Sequence, residues 1–225
     1  MTQTKICGIR KTAEIDMLAT AGASFMGMVF FAASPRHLDY EQAAALASYA
    51  DSLQDAPQRV ALCVDADDQT LQSIISTARP HMLQLHGSET PQRCRQIRQH
   101  FGLPLMKALR IASPEMENAT PFKTAAISDA RAWDDAADWM LFDAASQNAS
   151  LPGGTGHRFD WKLARQYDGP LPWMLAGGLD AACVAEAIRI SGATAVDVSS
   201  GVEDAATGQK DAAAIQSFVN QANLG

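Results

Sequence analysis

The chain has 225 residues, 47% of them hydrophobic and 19% charged. Length and composition suffice for a sizeable core and speak against disorder as the dominant state. Eighteen Lys+Arg against 25 Asp+Glu leave a net charge of -7, which argues against a broad nucleic-acid-binding surface but not against a local phosphate site built from backbone N–H groups. The first residues, Met1 to Lys11, lack the apolar stretch of a secretory signal. Lys5–Ile9 reads as a strand, Thr12–Ala21 as a helix with Thr12 at the cap and Glu14 in the first turn, Phe25–Phe30 as a strand, and Tyr40–Leu53 as an Ala-rich helix. Arg59–Val64 and Met82–His86 are the next predicted strands, followed by helices over Gln69–Ala78 and Pro91–His100; Pro91 suits a first turn. After the predicted strand Leu105–Arg110, the prolines at 114 and 121 leave room only for a short or broken helix between Ser113 and Ser128. Three further units pair the strands Trp139–Asp143, Trp173–Ala176 and Ala195–Ser199 with helices over Asp160–Gln166, Ala181–Ile190 and Asp211–Gln221. Gly22, Gly102 and Gly192 fall where helix C-caps belong.

Alternating β and α segments imply parallel strands joined by right-handed crossovers. Eight such units, about 28 residues each, close most simply into a (β/α)8 barrel, read here as one domain over residues 1–225. The rival, an open doubly wound sheet, finds neither a G-x-G-x-x-G after the first strand nor a P-loop to support it. No apolar run reaches the ~18 residues of a transmembrane helix. Cys7, Cys63, Cys94 and Cys183 are far apart and form no C-x-x-C pair, so neither structural zinc nor a disulfide framework is expected. The expected setting is the cytoplasm, with free thiols.

A barrel of this kind carries its site at the C-terminal ends of its strands. Cys7, Asp143 and Asp197 sit at or near three such ends. Alternation puts Leu141 with Asp143, and Asp197 with Ser199, on one face each. A strand cysteine is most often a small buried hydrophobe, and a strand-end Asp most often a cap or turn former; together, though, Cys7 and Asp143 offer a base and an acid. Glycine-rich segments follow the last three strands: Gly153-Gly154-Thr155-Gly156, Gly177-Gly178 and Ser199-Ser200-Gly201. Glycines admit a ligand close to backbone N–H groups, so three such loops in succession outweigh the tight-turn explanation that serves for any one. Arg36, in Ser34-Pro35-Arg36, has the chemistry to pair with a substrate carboxylate. Gln84 and His86 end the fourth strand, and Lys107 is a candidate for an inward-facing lysine on the fifth. The four tryptophans have no spacing that suggests base stacking and are read as packing.

The segments Lys5-Ile6-Cys7-Gly8-Ile9, Ser34-Pro35-Arg36, Leu83-Gln84-Leu85-His86-Gly87, Lys107-Ala108-Leu109-Arg110, Phe142-Asp143-Ala144, Gly153-Gly154-Thr155-Gly156, Leu175-Ala176-Gly177-Gly178-Leu179 and Val196-Asp197-Val198-Ser199-Ser200-Gly201-Val202-Glu203 occur in this order. In these the chain closely resembles the phosphoribosylanthranilate isomerase family. The resemblance implies an Amadori rearrangement of N-(5-phosphoribosyl)anthranilate to 1-(2-carboxyphenylamino)-1-deoxyribulose 5-phosphate, with no cofactor and no metal. It implies Asp143 as general acid and Cys7 as general base. It also implies Arg36 near the anthranilate group, Gln84 and His86 as substrate-binding residues, and Asp197 on the sugar hydroxyls. Gly154, Gly177, Gly178, Ser199 and Ser200 would hold the phosphate. The expected partner is a small phosphosugar; no nucleic acid or membrane is expected, and a monomer is favoured over a dimer.

Two readings compete. Lys107 would suit a different reaction on the same phosphate-binding barrel, such as that of indole-glycerol-phosphate synthase, but no convincing Glu stands at a strand end to join it. A phosphosugar-binding protein without catalysis would keep the barrel, yet the intact Cys7 and Asp143 speak against it. The chain also departs from the family's usual pattern at Phe30-Phe31-Ala32-Ala33, where many members carry an aromatic residue followed by Lys.

Overall fold

A computed structural model of the chain describes residues 1–111, 125–144 and 159–225. Eight parallel strands close on themselves in sequence order: β1 (Gln3–Cys7), β2 (Phe25–Phe30), β3 (Gln58–Cys63), β4 (Met82–Leu85), β5 (Leu105–Ile111), β6 (Trp139–Ala144), β7 (Trp173–Leu175) and β8 (Ala195–Val198). Helices α1 (Thr12–Ala21), α2 (Tyr40–Asp51), α3 (Asp68–Ala78), α4 (Pro91–Phe101), α5 (Trp161–Ala164), α6 (Val184–Ser191) and α7 (Ala212–Ala222) connect or follow them. β1 pairs with β8 through Lys5 opposite Asp197, which completes the ring.

Strand alternation divides the apolar residues into two layers. Phe25, Val60, Met82, Met106, Leu141 and Met174 fill the barrel. Their sequence neighbours, such as Met26, Ala61, Leu83 and Phe142, point outward against helix residues including Leu18, Leu46, Ile74 and Phe218. Most strand residues are therefore buried on both faces, which is why these strands read as apolar runs rather than alternating ones.

The helix boundaries follow local hydrogen bonding. Asp39, Asp67 and Asp211 accept from the N–H groups of Gln42, Thr70 and Ala214 at 2.7, 2.8 and 2.7 Å, each an N-cap contact. Gly22, Gly102 and Gly192 take left-handed C-cap positions with φ of 75, 68 and 76°. Thr12 is not the cap of α1; Lys11 is, because Glu14 reaches back to the Arg10 and Lys11 N–H groups at 2.6 and 3.1 Å. Helix α6 starts at Val184, later than expected, because the Asp180 carboxylate draws the Ala182 and Cys183 N–H groups into a turn at 2.9 and 3.0 Å. In unit five the described part is a 3-10 helix, Ile127–Trp133; the two prolines invoked there lie outside the described residues. Strand β1 runs Gln3–Cys7, two residues earlier than its expected span, because Gly8 turns the chain with a φ of +86°.

Candidate active site

The strand register that closes the barrel also aims a set of polar side chains upward. From β1, β4, β6 and β8 the inward residues nearest the C-terminal ends are Cys7, His86 just past β4, Asp143 and Asp197. All four line one pocket at that end of the barrel, with Val29 and Leu62 forming an apolar side. Arg36 closes the pocket from the loop after β2, and Gly177, Gly178, Ser199 and Ser200 close it after β7 and β8. Gly154 lies outside the described residues.

Cys7 and Asp143 enter this space from strands separated by β7 and β8. They are 6% and 5% exposed, so both face the pocket yet sit largely out of water. Gly27, on the adjacent strand, makes room for the thiol: a Cβ there would stand 2.8 Å from Cys7 Sγ. Burial pushes the Cys7 thiol up, opposed by Lys5, seconded by Asp197, and opposed again by Lys210 and Arg36. Cys94, outside the pocket, is pushed up to about 11, chiefly by burial.

Asp143 Oδ2 lies 3.3 Å from His86 Nε2. Gln84 Nε2 meets His86 Nδ1 at 3.1 Å from below. Gln84 is fully buried and does not line the pocket; the alternation that turns it inward leaves it one layer beneath His86. Arg110, opposite Asp143 in the β5–β6 register, donates through Nη2 to the His86 carbonyl.

The inward-facing Lys107 is also overturned. Met106, Ala108 and Arg110 are the inward residues of β5, so Lys107 shares the outer face with Leu105 and Leu109. There its Nζ meets Glu89 at 2.7 Å and the Gly87 carbonyl at 2.8 Å. A catalytic lysine on this strand, the motive for the synthase reading, is therefore absent from the pocket.

Arg36 is held by a residue that the sequence reading did not single out. Its Nε and Nη2 each donate to a Glu203 oxygen at 2.7 Å, a bidentate pairing that fixes the guanidinium plane. Gly8 permits this approach, since a Cβ there would overlap the Arg36 side chain. Lys210 Nζ binds the same Glu203 at 2.8 Å and the Ser199 carbonyl at 2.9 Å. Ser199 in turn donates through Oγ to the Cys7 carbonyl at 3.0 Å. Lys5, fully buried on the inner face of β1, meets Asp197 Oδ1 at 2.9 Å. Of these unforeseen residues, Lys5 alone had a signal: it stands two positions before Cys7, and therefore on the same face.

Residues 4–221 match the family model for N-(5'phosphoribosyl)anthranilate (PRA) isomerase. An N-(5'-phosphoribosyl)anthranilate isomerase of Parvibaculum lavamentivorans is 48% identical over 223 residues, covering 98% of this chain and 97% of its own. One of Rhodopseudomonas palustris is 48% identical over 219 residues, covering 97% and 94%. Among solved structures, phosphoribosyl anthranilate isomerase in complex with reduced 1-(o-carboxyphenylamino)-1-deoxyribulose 5-phosphate superposes with a TM-score of 0.77 at 28% identity, covering 99% of both chains. Monomers generated from the dimeric enzyme of Thermotoga maritima superpose with a TM-score of 0.79 at 28% identity, again over 99% of both chains.

Proposed function

The chain belongs to the N-(5'-phosphoribosyl)anthranilate isomerase family, and we propose that Cys7 and Asp143 carry out that family's chemistry here. The reaction is the Amadori rearrangement of tryptophan biosynthesis, which turns an aminoaldose phosphate into its aminoketose isomer. One observation carries the assignment of roles: a thiol and a carboxyl, both largely buried, line a single pocket from different strands.

Asp143 donates a proton to the ribose ring oxygen. The C1–O bond breaks and the nitrogen lone pair closes a C1=N bond, giving the open-chain Schiff base. Cys7, as thiolate, removes the proton from C2; the C2–H electrons form a C1=C2 bond and the nitrogen recovers its pair. The resulting enolamine tautomerises to the C2 ketone, so no atom is gained or lost. His86, 3.3 Å from Asp143, holds the carboxyl in place. Arg36, its plane fixed by Glu203, orients the anthranilate carboxylate. Asp197 meets the sugar hydroxyls. The backbone around Gly177, Gly178, Ser199 and Ser200 receives the phosphate, with Gly154 joining it.

Anthranilate-type fluorescence, corrected for spontaneous hydrolysis of the substrate, reports turnover. Cys7→Ser and Asp143→Asn should each lose about 10²- to 10⁴-fold in kcat while still binding the reduced product analogue. Near-normal turnover in either variant overturns its role. We also read the enzyme as a cytoplasmic monomer. Among the described residues no helix is long and apolar enough to cross a membrane; the T. maritima relative is itself dimeric, and its monomers were generated from that dimer. Sedimentation at dimer mass would overturn the monomer.

A further inference from the structure

A thiol in a buried pocket does not ionise readily, because burial favours its neutral form. The proposed base therefore needs a compensating positive charge, and the floor of the pocket holds one. Lys5 lies on the same face of β1 as Cys7 and is completely buried. Its Nζ donates to Asp197 Oδ1 at 2.9 Å, and the two-residue spacing sets its side chain next to that of Cys7 on one face of the strand. We propose that Lys5 is the positioning residue for the base: its ammonium, shared between Cys7 and Asp197, supplies the charge against which the thiolate forms.

The electrostatics run in the same direction. Burial alone would discharge Lys5, but Asp197 and Cys7 together hold it above the ordinary lysine value. It stays a cation beneath the pocket, and among the charges around Cys7 it is the largest that favours the thiolate. Lys210 and Arg36 act in the same sense but more weakly, and both are engaged by Glu203. Asp197 acts in the opposite sense. The pair is thus a balance: Lys5 promotes ionisation, and Asp197 takes part of its charge. The carboxylate proposed to hold the sugar and the thiol proposed to take its proton share one lysine, so the position of the sugar and the charge on the base are coupled. Engaging Asp197 with sugar hydroxyls would free Lys5 for the thiol.

This inference rests on Cys7 being the base, and its test does not use turnover. Iodoacetamide alkylation of Cys7, followed by mass spectrometry of its peptide from pH about 6 to about 10, reads the thiolate fraction directly. Three variants separate the charge of Lys5 from its packing. Lys5→Met should move the profile at least ~1 unit upward, so that alkylation near pH 7.5 falls about tenfold. Lys5→Gln, which keeps a polar side chain beside Asp197 but carries no charge, should move it the same way. Lys5→Arg, which keeps a cation there, should stay within about threefold of the wild type at that pH. A merely structural Lys5 would leave the profile of every folded variant unchanged. A folded Lys5→Met protein with an unchanged profile overturns the inference. If that variant does not fold, Lys5→Gln decides, and an unchanged profile there overturns it. If instead Cys7→Ser keeps its turnover, the assignment of the base has failed while the titration still measures what Lys5 does to the thiol.

Discussion

Cys7 has no slack around its sulfur. A Cβ on Gly27 would stand 2.8 Å from Sγ and 2.9 Å from the Cys7 Cα, and the second of these is backbone that cannot swing aside. Gly27→Ala should therefore push β1 and β2 apart at the point where β1 carries the proposed base. We expect a loss of about 1–3 kcal/mol of stability from overpacking, read by urea denaturation, and a kcat loss larger than any change in KM. The placement of Cys7 at the pocket was legible because alternation and its place at a strand end are local properties. So was the placement of Asp143, His86 and Asp197. Glu203 and Lys210 were not, although Glu203 closes one of the quoted segments. Their meaning depends on Arg36, 167 positions before Glu203, and no spacing rule connects residues that only barrel closure brings together. The depth of Gln84 was hidden for a related reason: alternation says which way a strand residue faces, not how deep it lies.

At the level of elements, the β4–α4 connection is built on a buried ion pair. Glu89 accepts from the Asp65 and Gly87 N–H groups as well as from Lys107, and Lys107 also binds the Leu85 and Gly87 carbonyls. The backbone on both sides of His86 is thereby fixed from outside the barrel. Both side chains are almost completely buried, at 3% and 2% exposure, so removing one leaves the other charge with no compensation. Glu89→Gln should cost about 3–5 kcal/mol, while Glu89→Gln with Lys107→Met should cost less than the sum of the two single changes; urea midpoints of the three variants check both statements. The elements themselves were the most readable level of the sequence. Their apolar runs and caps are local, and all eight strands stand within two residues of where they were expected. What slipped were ends governed by a single hydrogen bond or dihedral, as at Lys11, Asp180 and Gly8. Lys107 slipped because its flanking leucines serve a double-faced strand, where an apolar neighbour marks the helix layer as readily as the interior.

For the molecule as a whole, the barrel mouth is tied together on the side where β8, β1 and β2 adjoin. Arg36 after β2, Glu203 and Lys210 after β8, and Ser199 over Cys7 form one chain of contacts. Stability should therefore depend on the ionisation of Glu203. Burial alone would raise its carboxyl, but Arg36 and Lys210 outweigh burial and hold it below the ordinary 4.5. Burial likewise opposes, and Lys107 outweighs, so that Glu89 is also held below 4.5. A carboxyl depressed in the folded state stabilises the fold fully above its unfolded value and loses that contribution as the pH falls through its folded value. Both groups thus contribute in full at neutral pH, and the loss begins near pH 4.5 and grows on further acidification. Urea midpoints at neutral pH and below pH ~4 should differ by more in the wild type than in Glu203→Gln, whose side chain cannot titrate. The same substitution should raise KM for the phosphosugar, because an amide grips the Arg36 guanidinium less firmly than a carboxylate. An equal acid sensitivity in Glu203→Gln would mean that the mouth is held by its backbone loops and not by this charged tie.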